Sequence, residues 1–386
     1  MFYQNDISAL RGHDIRLTAS DVLPFVKMIF LPYRQKLKQV FIEVLIFLSF
    51  VLLWYQYIIK EKSIMKKKII AIILVLAVIG GGIALYLTRD KTDPTDTEEF
   101  YRQNVAAVAY ENKIEDAMPQ TEIYDLIKGH FDSKLPKGKT EKKAILIGFD
   151  GCRADILAEI DKQNSGITAL VNDGAPLKLA YCGGVNFPEK NTQDTSTAPG
   201  WCSILTGVWA DVHGITGNDI TKKMDTKTLL TSLTEDKIID DAVFATRWKG
   251  HFSRNNATYL AEVDYCTANE LNVDFALCKN DADTHAYTMN EIVKDDCADF
   301  IFSIYEPTDG TGHSKGFSFN NPKYKEAFKQ EDAMALEVIN GIKNRDTYEK
   351  EDWLFVITSD HGGIGTGHGN ESIQERMTFI VANKDF

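Results

Sequence analysis

Residues 353–370 (Trp-Leu-Phe-Val-Ile-Thr-Ser-Asp-His-Gly-Gly-Ile-Gly-Thr-Gly-His-Gly-Asn) restrict the possible folds more than any other stretch. The segment opens as an apolar, β-branched run, which predicts a buried strand. It then breaks into a glycine-rich loop carrying Asp360, His361 and His368. A strand that ends in Asp-His and a flexible turn is how an open α/β sheet presents ligands at its carboxyl edge. Carboxylate oxygen and imidazole nitrogen are donors that suit zinc or manganese. Glycines let the backbone close around an ion. Alone, an Asp-His-Gly turn is equally an ordinary loop, so its weight depends on what the other strand ends carry.

Two of them carry matching chemistry. Lys143 to Phe149 is a continuous apolar run that predicts a central parallel strand. It ends in Asp150-Gly-Cys-Arg153 and passes into a helical pattern from Ala154 to Lys162. Asp150 is either a ligand or a helix N-cap. Asp299 to Tyr305 is a second apolar run, followed by Glu306-Pro-Thr-Asp309-Gly-Thr-Gly-His313. Asp309 and His313, four apart with two glycines between, are expected to turn onto one ion. An amphipathic helix follows from Pro322 to about Asn344, with Phe328, Ala335, Val338, Ile339 and Ile342 on its apolar face. Met377 to Asn383 reads as a further strand close to the sheet's edge.

Between these lies Thr195-Ser-Thr197-Ala-Pro199-Gly-Trp201. Proline in the first turn places the Thr197 hydroxyl at a helix N-terminus, where free amides and the dipole favour an anion. Threonine is a poor nucleophile without an activating base or metal. Without ligands elsewhere Thr197 would be an N-cap only. The order of strands and helices, with polar residues at strand ends, implies α/β architecture: a doubly wound, mostly parallel sheet with helices on both faces.

The chain has 386 residues and a net charge of −12. Residues 1–90 hold 12 basic and 6 acidic side chains, so the remainder carries −18. Such a domain is a poor binder of nucleic acid, and an anionic substrate needs local positive charge of the kind a metal supplies. Two apolar runs, 40–59 and 69–87, are each long enough to span a bilayer. Lys66-Lys67-Lys68 before the second predicts that everything after Leu87 lies outside the cytoplasm. We therefore expect a membrane anchor over 65–90, preceded by residues 1–64. Those are either an upstream extension of the reading frame or carry a first membrane helix at 40–59. A linker and stalk or cover is expected over 91–140, and the catalytic domain over 141–386. The six cysteines, Cys152 to Cys297, permit disulfides in an exported domain, with pairing expected among Cys182, Cys202, Cys266, Cys278 and Cys297. His213 reads as structural, seating the turn that presents Asn218, and His130 and His285 read as surface residues.

Asp150, Thr197 in Thr-Ala-Pro, Asp309-x-x-x-His313 and Asp360-His361, in that order, resemble the alkaline phosphatase superfamily, in its type I phosphodiesterase/nucleotide pyrophosphatase branch. The resemblance covers about residues 143–386. It implies a hydrolase of phosphate esters, small molecules or headgroups, with two divalent metal ions, zinc or manganese. Asp150, Thr197, Asp360 and His361 would hold one ion, with Thr197 also the nucleophile. Asp309, His313 and His368 would hold the other, and Asn218 would support the phosphate oxygens. In that branch the last histidine ligand lies far beyond the Asp-His pair, whereas here His368 follows at once. The rivals are a phosphotransferase using the same covalent step, a sulfatase-like hydrolase, and a non-catalytic surface module. The sulfatase modification signal is absent, because its positions hold Thr197, Pro199 and Trp201.

Overall fold

The computed structural model describes residues 93–108, 113–184, 192–219, 222–224, 226–252 and 257–386. Both apolar runs near the front lie outside the described residues. Among the described residues no helix is long and apolar enough to cross a membrane.

One eight-stranded sheet forms the frame, in the order β1-β3-β8-β7-β2-β6-β4-β5. The strands are β1 (Met118–Pro119), β2 (Glu141–Phe149), β3 (Leu177–Tyr181), β4 (Ala242–Thr246), β5 (Val273–Leu277), β6 (Phe300–Tyr305), β7 (Glu351–Thr358) and β8 (Met377–Ala382). Central β2 runs parallel to β7 on one side and to β6 on the other. Only β8 is antiparallel to its neighbours, β3 and β7. The sheet is therefore mostly parallel.

Alternation along β2 builds two cores. Ile145, Ile147 and Phe149 face one layer, against Tyr324, Phe328, Val338, Ile339 and Ile342 of the helix Pro322–Lys343. That helix starts as its sequence dictates, with Pro322 in its first turn and the Asn321 side chain capping the Lys323 amide. Ala144 and Leu146 face the other layer, where the helix Thr197–Thr206 is buried along its whole length. At roughly 1.5–3 kcal/mol for each large apolar side chain removed from water, these two layers dominate the stability.

Several expectations are corrected. Strand β8 is not near the edge but lies between β3 and β7. Its six residues, all apolar except Thr378, are buried on both faces, as an interior position allows. The segment after Asp150 forms a short 3-10 helix, Ala154–Glu159, in which Asp155 pairs with the Arg153 guanidinium. Asp309 and His313 sit on a helix, Pro307–Lys315, and not on a turn. Their i, i+4 spacing still puts both on one side. His130 is buried beneath Lys384 and Asp352, and His285 is partly covered by Tyr305 and Glu337. All six cysteines carry free thiols. They stand apart on different elements, as Cys202 against Tyr259 and Cys266 against Thr231 illustrate.

The stretch read as a linker is docked from Asp93 onward. Asp93 accepts from Ser318 and Asn320, and Asp96 is buried against Arg153. The helix Glu98–Val108 follows, and its Tyr101 and Val105 pack on Ala154, Leu179 and Met377. Every described residue belongs to one compact unit, Asp90–Phe386.

Candidate metal and hydrolytic centre

Because β7, β2 and β6 are neighbouring parallel strands, their carboxyl ends deliver Asp360, Asp150 and Asp309 to one edge. The backbone locks this junction. Asp360 Oδ1 accepts from the Gly151 amide at 3.1 Å, and the Asp150 carbonyl accepts from the Asp309 amide at 3.1 Å and from Thr308 Oγ1 at 2.7 Å. Gly151 has φ +69°, and a Cβ there would lie 2.9 Å from the Asp309 Cβ, so only glycine fits this close approach.

The residues named from sequence fall into two adjoining clusters. In the first, Thr197 Oγ1 lies 3.4 Å from both Asp150 Oδ1 and His361 Nε2. His361 Nε2 is 3.6 Å from Asp150 Oδ1 and 3.4 Å from Asp360 Oδ2. Thr197 is the first residue of its helix, as the Thr-Ala-Pro signal predicts. In the second cluster, Asp309 Oδ1 lies 3.3 Å from His313 Nε2 and 3.6 Å from His368 Nε2. The two meet where the His361 and His368 rings stack at 4.0 Å. Ligating atoms of Asp150, Asp360 and His361, and of Asp309, His361 and His368, fall within 4.8 Å of one another. The first cluster is sealed, with Asp360 and His361 0% exposed, whereas the His313 side chain is 46% exposed. Solvent therefore reaches the centre from the His313 side.

The donor set fits divalent cations. Each histidine ties its Nδ1 to a backbone carbonyl: His313 to Thr366 at 3.0 Å, His361 to Gly362 at 2.7 Å, and His368 to Thr195 at 2.9 Å. A carbonyl can only accept, so Nδ1 carries the proton and Nε2 presents a lone pair inward, the arrangement usual for metal-ligating histidine. His313 Nε2 and His368 Nε2 thus face each other at 3.1 Å as two acceptors. Asp309 Oδ1 and Asp360 Oδ2 are buried with no hydrogen-bond donor among the described residues. Buried lone pairs and carboxylate oxygens in contact repel unless a cation lies among them.

Protonation equilibria carry the same signature. Burial lifts the Asp150 carboxyl to about 6, with Trp201 as the main opposing influence. Asp309 and Asp360 rise well above the ordinary carboxylate range, through burial first and then the charge on Asp150. Burial, then His368, holds His361 neutral far below its usual value. Glu306 rises to about 8 by burial and by the Asp150 charge, against Arg247.

Asn218 lies beside the helix that begins at Thr197, its Oδ1 accepting from the Ala198 amide at 2.8 Å. That orientation leaves Nδ2 as its donor. His213 is buried as expected, accepting from the Ile215 amide at 3.1 Å within the turn that leads to Asn218.

Sequence reasoning missed three participants. Trp201 donates Nε1 to Asp150 Oδ2 at 3.0 Å; its place one helical turn after Thr197 is the only signal it gives. Arg247 is paired with Glu306 at 3.2 Å and with Asp281 at 2.9 Å, holding the junction that carries Asp309. Thr195 supplies the carbonyl that fixes His368.

Fold and site together define an α/β protein with a cluster of carboxylates and histidines, of a kind that fits divalent cations, at the carboxyl edge of its sheet. The chain belongs to the type I phosphodiesterase / nucleotide pyrophosphatase family, whose model matches residues 144–377. It is 27% identical over 237 residues to the bis(5'-adenosyl)-triphosphatase enpp4 of Xenopus laevis, covering 59% of this chain and 48% of that protein. The chain thus spans about half the length of that curated relative. Murine ectonucleotide pyrophosphatase / phosphodiesterase 5 is 20% identical, with a TM-score of 0.40 and 57% of each chain covered. A phosphonoacetate hydrolase from Sinorhizobium meliloti, in complex with phosphonoformate, is 16% identical, with a TM-score of 0.35 over 57% of this chain and 56% of that one.

Proposed function

We propose that this chain is a metal-dependent hydrolase of phosphate esters, of the phosphodiesterase or nucleotide pyrophosphatase type, with Thr197 as nucleophile. The carrying observation is the place of Thr197 Oγ1: first turn of a buried helix, 3.4 Å from both Asp150 and His361. Asp150, Thr197, Asp360 and His361 would hold one divalent ion, and Asp309, His313 and His368 the other, with zinc the first choice and manganese the second. Bound there, the ions supply Lewis acidity and neutralise charge on the phosphate.

The residues then divide the work. Thr197 Oγ1 forms a bond to phosphorus as the bond to the leaving oxygen breaks, giving a phosphothreonine that water subsequently hydrolyses. Asp150 Oδ1 and His361 Nε2, each 3.4 Å away, orient the hydroxyl, whose proton leaves to water as the bond forms. Asn218 Nδ2 donates to an equatorial phosphate oxygen, and the helix N-terminus favours the charge that develops. Burial of Asp360 and His361 keeps bulk water from the nucleophile.

A screen of aryl phosphate monoesters, diesters and sulfate esters with zinc or manganese tests this reading. Metal-dependent phosphodiester cleavage, lost in Thr197→Ala, is expected. Sulfate hydrolysis alone, or no metal-dependent cleavage, would overturn it. A product carrying phosphate on an added alcohol would instead identify a transferase.

We further propose that the unit from 91 onward lies outside the cytoplasm, anchored through 65–90, from the Lys66-Lys67-Lys68 flank and the uncharged 69–87 run. Protease added to intact cells should remove the domain, and full protection would refute this topology.

A further inference from the structure

We infer that Trp201 is a positioning residue for the first cluster: its indole N–H fixes Asp150 so that one oxygen alone, Oδ1, faces Thr197 and His361. This rests on the reading of Asp150 as a metal ligand. The geometry is specific. Trp201 lies one helical turn after Thr197, so the helix that carries the nucleophile also reaches across to the ligand. Nε1 donates to Asp150 Oδ2 at 3.0 Å, while Oδ1 lies 3.4 Å from Thr197 Oγ1 and 3.6 Å from His361 Nε2. With Oδ2 committed, Asp150 offers its ion a single oxygen, and rotation of the carboxylate would break a hydrogen bond.

The ring is held in place from two sides. Trp201 is fully buried and packs on Phe302 of β6 at 5.3 Å between centroids. On β2, Gly148 leaves the space it fills, since a Cβ there would lie 2.3 Å from the indole. Indole has one donor and no acceptor, so Nε1 must find an oxygen when buried, and Asp150 provides it. A neutral donor fixes the carboxylate without cancelling the negative charge that an ion needs, which a cationic side chain at this position would do. Outer partners of this kind typically change metal affinity by about 10–100-fold.

The test is titration calorimetry of zinc and manganese into the purified full chain, with intrinsic fluorescence as a second readout. Trp201→Phe keeps an aromatic ring but loses the donor. Incorporating 3-benzothienylalanine at 201 keeps ring size and replaces only the N–H with sulfur. Both variants should weaken the binding step that Asp150→Ala removes by about 10–100-fold. The control Phe302→Leu, which loosens packing against the ring without touching the N–H, should leave that step unchanged. Asp150→Ala should abolish it. If Asp150→Ala abolishes binding while the benzothienyl protein binds as wild type, the role of Trp201 is refuted and the metal site stands. If Phe302→Leu weakens binding as much as loss of the N–H does, Trp201 acts through packing and the inference also fails. If wild type and Asp150→Ala bind alike, or wild type binds no ion, both this inference and the metal reading fall.

Discussion

The imidazole of His368 donates Nδ1–H to the carbonyl of Thr195 at 2.9 Å, tying the second cluster to the segment that leads into the Thr197 helix. Thr195 strengthens the link, since its Oγ1 accepts from the Gly369 amide at 3.0 Å and donates to the Asn370 carbonyl at 2.9 Å. The glycine-rich loop after β7 is therefore fastened two residues before Thr197, and His368 is oriented by a group outside its own loop.

The roles proposed for His368 and Thr197 can be told apart by substitution. His368→Ala should lower occupancy of the second cluster and activity steeply, with partial recovery in excess zinc or manganese. Thr197→Ala should keep both ions and lose activity that no added metal restores. Metal content of each purified variant, measured beside cleavage of an aryl phosphodiester, decides the matter. Full metal content and full rate in His368→Ala would remove His368 from the site.

Arg153 is the buried hub of the N-terminal contact. It pairs with Asp96 at 2.6 Å and with Asp155 at 2.7 Å, and also donates to the carbonyls of Phe317 and Gly363. Asp96→Ala removes one of its two carboxylates and leaves buried positive charge undercompensated, at a cost of about 3 kcal/mol. Urea unfolding should show that loss, whereas an unchanged midpoint would mean that residues 93–108 do not support the unit.

Gly148→Ala drives a methyl into the Trp201 ring, 2.3 Å from its nearest carbon. The surrounding core is closely packed, so overpacking of about 1–3 kcal/mol is expected. Thermal unfolding measures it, and a neutral result would show that the ring can move aside.

His251 sits fully buried among Phe244, Trp248 and Tyr259, and among the described residues neither ring nitrogen has a hydrogen-bond partner. Burial lowers its pKa from 6.5 to about 3. Between those values the unfolded chain binds a proton that the folded one does not, so stability falls as pH drops from 6.5 toward 3. His251→Leu should stabilise by about 1 kcal/mol at neutral pH, by removing an unsatisfied polar group. The gain should widen below pH 6.5. His130 and His213, both lowered to about 4 by burial, remain in both proteins and cancel. Parallel pH profiles of melting temperature would contradict this account.

Thiol titration of denatured, unreduced protein should find six reactive groups, matching the six free cysteines. Fewer than six would restore the disulfide expectation.

Much of the centre is legible in the sequence because strand-end chemistry is local. Asp150, Asp309 and Asp360 each follow an apolar run, and a parallel sheet brings such ends to one edge whatever the remaining contacts are. The helix Pro322–Lys343 is equally legible, since its 3.6-residue apolar period lies within one segment. What only tertiary structure decided depends on partners far apart along the chain. Asp96 looks like linker because its guanidinium partner is 57 positions away, and Trp201 looks like core because its carboxylate partner is 51 positions away. Strand β8 reads as close to the edge because sequence order carries no information about lateral order in a sheet. The cysteines suggested bridges by number and compartment, yet pairing requires two sulfur atoms to meet, and folding placed these thiols on separate elements.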